Sequence, residues 1–103
     1  QTGNHHRAAV MFEKAVEVDP TFVSACGHLG LTYYVLRNYE DAIDAYKRAF
    51  DLGADELEYY YELGLAYVYL DRCDEARPWL EKAIEIDATA YPAWEGLDIC
   101  DKR

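Results

Sequence analysis

Basic side chains are scarce in this sequence. Ten Lys and Arg stand against twenty Asp and Glu over 103 residues, giving a formal charge of −10 and a pI near 4.5. A field of that sign repels a phosphate backbone, which argues against nucleic acid as a partner and favours basic or largely apolar ones. No apolar run approaches the roughly 18 residues that a bilayer-crossing helix needs, so no segment reads as membrane-spanning. Cysteine is limited to Cys26, Cys73 and Cys100, an odd number without a C-x-x-C pair. That pattern predicts neither a disulfide framework nor a zinc site, and free thiols imply a reducing compartment, most simply the cytoplasm. Phosphate-cradling glycine loops and nucleophile motifs are missing too, so the sequence reads as a non-enzyme that needs no cofactor. His5-His6 read as exposed surface. Cys26 and His28 sit two apart on one helix and cannot face each other as a pair. Glu58 and Glu62, at i,i+4, read as solvated rim charge.

What the sequence does contain is repetition. Leu29-Gly30-Leu31-Thr32-Tyr33-Tyr34-Val35-Leu36 is echoed by Leu63-Gly64-Leu65-Ala66-Tyr67-Val68-Tyr69-Leu70. Gly64 minus Gly30 is 34, and the same offset carries Tyr33 onto Tyr67, Ala42 onto Ala76, Ala49 onto Ala83 and Ala54 onto Ala88. A fixed period in this range marks a stacked repeat array. Apolar residues recur at helical spacing throughout, which predicts helices over residues 5–19, 22–36, 39–52, 55–70, 73–86 and 89–100. Gly3-Asn4 read as a turn, with Gln1 to Asn4 fraying. Gly53 is placed to close the third helix in a left-handed conformation. Pro78 falls near the first turn of the fifth, where a missing N–H costs little.

The spaced residues Cys26, Leu29, Gly30, Tyr33, Ala42, Tyr46 and Ala49, with Tyr60, Leu63, Gly64, Tyr67, Ala76, Leu80 and Ala83, resemble the tetratricopeptide repeat pattern. Ala8, Phe12, Ala15 and Pro20 match its second half, and Trp94 and Leu97 its first. The resemblance implies an all-α fold, an α-solenoid of antiparallel helix pairs with six helices. Two full 34-residue repeats, 23–56 and 57–90, are flanked by a half-repeat at 1–22 and a final helix at 91–103. The whole reads as a single domain and as a fragment of a longer array. Gly30 and Gly64 then lie where paired helices cross, opposite small alanines. Tyr33, Tyr46 and Tyr67 supply buried area with one polar end. Asp98 stands where a third crossing glycine belongs, with Gly96 out of alignment, so the last helix reads as a solvating cap. Ala54 and Ala88 replace expected prolines.

By the same resemblance, the first helix of each pair lines a concave groove. It offers Ser24, Gly27, Leu31 and Tyr34 beside His28 and Val35, then Glu58, Tyr61, Leu65 and Val68 beside Glu62 and Tyr69, then Pro92, Glu95, Ile99 and Lys102. The Lys, Arg and Asn with which some members clamp a peptide's terminal carboxylate are not at these positions. An aromatic and aliphatic floor rimmed by Glu58, Glu62 and Glu95 implies a protein or peptide partner with apolar anchors and basic flanks. Two alternatives stand beside this scaffold role. One is head-to-tail self-association into a homo-oligomer through exposed half-repeat faces, including Val10 and Met11. The other is a regulatory or docking domain of a larger enzyme.

Overall fold

The protein is described from a computed structural model covering residues 2–103, and every regular element among them is helical: α1 (Thr2–Val18), α2 (Val23–Val35), α3 (Tyr39–Asp51), α4 (Leu57–Tyr69), α5 (Cys73–Ile86) and α6 (Tyr91–Asp101). The expected turn at Gly3-Asn4 is instead the first turn of α1. The N–H groups of a first turn have no intrahelical partner anyway, so glycine there gives up little. The fraying expected of Gln1 lies outside the described residues. Pro78 sits inside α5, past the first turn, and the helix continues through it.

Two compact units emerge, Gln1–Ala54 with α1 to α3 and Asp55–Arg103 with α4 to α6. In the first, α2 packs against both α1 and α3; in the second, α4, α5 and α6 pack against one another. The helix pairs are closed by the same device. Arg37 (φ 64°) and Asp71 (φ 61°) adopt the left-handed conformation, and the following N–H groups reach back to carbonyls of the finished helix: Asn38 to Tyr33 O at 2.8 Å and Arg72 to Tyr67 O at 2.9 Å. Gly53 (φ 102°) ends α3 in the same way, with the Ala54 N–H on Ala49 O at 3.0 Å. These bonds satisfy carbonyls that a helix end leaves open. Asp19 and Asp87 shape the remaining turns. Each accepts the backbone N–H and the hydroxyl of the threonine two residues on, at 2.6–3.0 Å, and these bonds hold both carboxyls below their usual pKa.

Gly30 and Gly64 lie in close contact with the paired helix, as their spacing predicts, but the groups nearest to them are Tyr46 and Leu80 rather than the expected alanines. A Cβ on Gly30 would sit 2.8 Å from the Tyr46 ring, and one on Gly64 only 2.6 Å from Leu80 Cδ2 and 3.3 Å from the Leu80 backbone nitrogen. Tyr46 and Tyr67 are buried, while Tyr33 is half-buried and donates its hydroxyl to Glu13 on α1. Because part of what faces Gly64 is backbone, the neighbouring helix cannot yield by a rotamer change alone. Gly64→Leu is expected to cost about 1–3 kcal/mol through overpacking. Thermal unfolding checks this: an unchanged melting temperature would remove Gly64 from the crossing.

Two expectations are corrected. Cys73 and Cys100 form a disulfide that joins the start of α5 to the end of α6, with Cα atoms 5.6 Å apart; Cys26 alone is free, and it is buried. Counting cysteines without their spatial pairing missed the bond, and with it the argument from free thiols to a reducing compartment loses its premise. Gly96, set aside because it is out of alignment, is buried, and a Cβ there would meet both Leu65 and Leu80 at 2.9 Å. It serves the approach of α6 to α4 and α5, a different contact from the crossing within a helix pair. Asp98, at the aligned position, is exposed and pairs with Lys102 at 3.0 Å. The end of α6 is tied further by Arg77 to Asp101 at 2.8 Å, and by Arg103, whose guanidinium donates to Asp71 at 2.7 Å and to Val68 O at 3.0 Å.

Candidate functional site

In the first unit, α2 positions His28, Leu31 and Tyr34. His28 is exposed but engaged: Nδ1 lies 2.7 Å from Ser24 O, and the ring stacks on Phe12 of α1 at a centroid distance of 5.5 Å. Leu31 is 36% exposed. Tyr34 is half-buried and meets Tyr39 of α3 edge-on at 5.8 Å. Gly27 is buried and presents no surface. The apolar surface of this unit that shows most openly belongs instead to α1 and the turn after it, where Met11 (65%), Val10 and Phe22 are exposed.

In the second unit, helical spacing sets Glu58, Tyr61, Glu62, Leu65, Val68 and Tyr69 within an arc of α4. That arc does not share one environment. Glu58 is exposed, Tyr61 and Glu62 are half-buried, and Tyr69 is exposed. Leu65 and Val68 are buried, so the expectation that they face a ligand is corrected. Leu65 is taken up by α6, lying against Gly96. The apolar floor on α4 is therefore largely spent on packing. What remains open is one tyrosine between two glutamates, a second tyrosine a turn or two on, and Glu95 exposed on the adjoining α6.

The electrostatics agree with that arrangement. The Tyr61 hydroxyl has a raised pKa, first through burial and then through the charges of Glu62 and Glu58, so both carboxylates act on the same phenol. Tyr59 is raised likewise, by burial and then by Glu56. A neutral phenol amid negative charge can donate a hydrogen bond and accept a cationic or apolar neighbour; it is a poor seat for a carboxylate. No cluster of three or more His, Cys, Asp or Glu suited to a metal occurs among the described residues, and no described helix is long and apolar enough to cross a membrane. Sequence reasoning did not single out the exposure of Tyr91 (69%) and Trp94 (50%) on α6. The repeat alignment equates Trp94 with Tyr60, yet Tyr60 has Trp79 beside it at 6.1 Å while the Trp94 indole N–H only turns back to Ala88 O at 2.8 Å.

Comparison with known proteins gives a consistent result. A family model described as tetratricopeptide repeat matches residues 23–89, and another of the same description matches residues 1–22. The chain is 32% identical over 102 residues to heat shock protein STI1 of Saccharomyces cerevisiae, covering 92% of this chain and 16% of that protein. It is 26% identical over 84 residues to protein bimA of Emericella nidulans, covering 82% and 10%. It therefore spans only a small part of the length of either relative. Among solved structures, YrrB, described as a TPR protein with an unusual peptide-binding site, superposes with a TM-score of 0.81 at 28% identity, over 88% of this chain and 47% of that one. The first TPR of Spaghetti (RPAP3), bound to the HSP90 peptide SRMEEVD, superposes at 0.85 with 21% identity, over 97% and 80%, a likeness of fold.

Proposed function

The chain belongs to the tetratricopeptide repeat family, and on that premise we propose that it is a non-catalytic protein-interaction scaffold that holds a peptide segment with apolar anchors and flanking Lys or Arg. The observation that carries this reading is Tyr61 on α4, half-buried between Glu58 and Glu62, with its hydroxyl pKa raised by burial and by both carboxylates. Similarity to YrrB supports peptide binding as the class of activity. The peptide held by the RPAP3 repeat contains two Glu and one Asp. A surface bearing Glu58, Glu62 and Glu95 would repel such a ligand, and it lacks the basic residues that would grip a terminal carboxylate. With Leu65 and Val68 buried, Tyr61 and Tyr69 are the anchors on the second unit; Leu31, Tyr34 and His28 are separate candidates on the first.

The test is a fluorescence titration with synthetic peptides that carry Leu or Phe anchors flanked by Lys or Arg, alongside charge-inverted versions. Tyr61→Ala is expected to weaken the basic peptide by about 2 kcal/mol, roughly thirtyfold. Glu58→Lys with Glu62→Lys is expected to move preference toward the acidic peptide. If both variants bind both peptides as the parent does, this surface is not the docking site.

A further inference from the structure

We propose that the first unit carries a binding cleft for a small aromatic amine, located where the second unit packs a pair of aromatic rings. In the second unit, Tyr60 of α4 and Trp79 of α5 lie side by side with ring centroids 6.1 Å apart. Stepping back by the 34-residue period places Cys26 on α2 and Ala45 on α3 at the equivalent positions. Both facing residues are thus reduced from rings to small side chains in the same repeat. Two rings cannot be deleted from a close-packed helix pair without leaving space, because backbone held apart by other contacts does not collapse fully. The space is present: a cleft of about 220 Å³, open to solvent on the side of Asp41, Asp44 and Arg48, lies in the first unit, with Cys26 and Ala45 both in its wall. A cavity of roughly 150 Å³ is already sufficient to admit benzene.

The lining sets the ligand class. Val16, Leu29 and Ala45 supply apolar surface for a ring, and Tyr33 gives it an aromatic neighbour. The Cys26 thiol has its pKa raised, chiefly by burial, so it presents neutral sulfur rather than thiolate. Asp41, Asp44 and Arg48 complete the wall, and all three are exposed. Two carboxylates against one guanidinium leave a net negative mouth, which favours a cationic substituent over an anionic one. An arylalkylamine meets both demands: ring inward, ammonium at Asp41 and Asp44. This inference is independent of the peptide surface proposed above and uses different residues.

Tryptamine, indole and indole-3-propionate are the probes, titrated against the isotope-labelled chain and followed by amide chemical shifts. Tryptamine and indole are expected to shift the amides of Cys26, Leu29 and Ala45. Tryptamine should bind about two- to fivefold tighter than indole, as expected for an exposed ion pair, and indole-3-propionate should bind weakest. Asp41→Asn with Asp44→Asn should bring tryptamine down to the level of indole while leaving indole unchanged. Cys26→Tyr with Ala45→Trp, which rebuilds the ring pair of the second unit, should abolish the shifts and raise the melting temperature. If that double variant loses its helical circular dichroism, Ala45→Leu decides, by weakening both probes. Absence of shifts at these amides, unchanged tryptamine binding in the folded filled variant, or tightest binding by indole-3-propionate would each overturn the proposal.

Discussion

Truncating Leu80 to alanine is expected to destabilise the protein by about 3–5 kcal/mol, the upper part of the range for a buried leucine. Leu80 is completely buried and touches two helices at once: its Cδ2 lies 2.6 Å from the place a Cβ on Gly64 would take, and its Cδ1 lies 2.9 Å from that of Gly96. Neither glycine has a side chain to rotate into the vacated volume, and relaxation of Leu65, which shares the contact at Gly96, is what would lower the cost. Denaturant unfolding measures it. The same geometry sets the sign of a coupling: Gly64→Ala should be harmful in the parent, where its methyl meets Leu80, and much less so beside Leu80→Ala. Additive effects of the two substitutions would show that Leu80 does not fill the space at Gly64.

Reducing the Cys73–Cys100 bond is expected to have a comparable effect. The two residues are 27 apart in sequence. Closing a loop of that length removes unfolded-state entropy worth about 3.5 kcal/mol on the chain-entropy account. The bond also holds the end of α6, whose remaining ties, Arg77 to Asp101 and Arg103 to Asp71, are exposed ion pairs of small individual value. Without the disulfide, α6 should loosen first, uncovering Leu65 and Leu80. The check is the denaturation midpoint with and without a dithiol reductant, alongside Cys73→Ser, which should match the reduced parent and ignore the reductant. Equal midpoints for the oxidised parent and Cys73→Ser would contradict this role for the bond.

Much of the fold was legible because its information is local and periodic. Helical spacing located all six helices, with ends differing by a few residues where capping rather than apolar pattern decides. The glycines at 30 and 64 could be read as crossing points because a repeat places the same contact at the same offset each time. The candidate site was legible only in part. Glu58, Tyr61, Glu62 and Glu95 were singled out from their positions, and the raised Tyr61 hydroxyl pKa reflects burial first and then the carboxylates beside it. Leu65 and Val68 share that helical arc but not its environment. An arc states which way a side chain points, not what has already been brought against it.

By itself, then, the sequence determined the repeat, the number and order of the helices, the small residues within each helix pair and the acidic character of the chain. Each follows from residue types at fixed separations along one chain. The tertiary structure alone decided that Cys73 meets Cys100, that Gly96 rather than the residue at the aligned position admits α6, and that Leu65 is claimed by packing. It also decided that Cys26 and Ala45, small residues in separate helices, border one cleft. Apart from the last pair, which recurs one period on as Tyr60 and Trp79, these are pairings between residues whose separation in sequence carries no period. They are fixed by how closely two helix backbones approach, and that depends on the volumes of all the side chains between them.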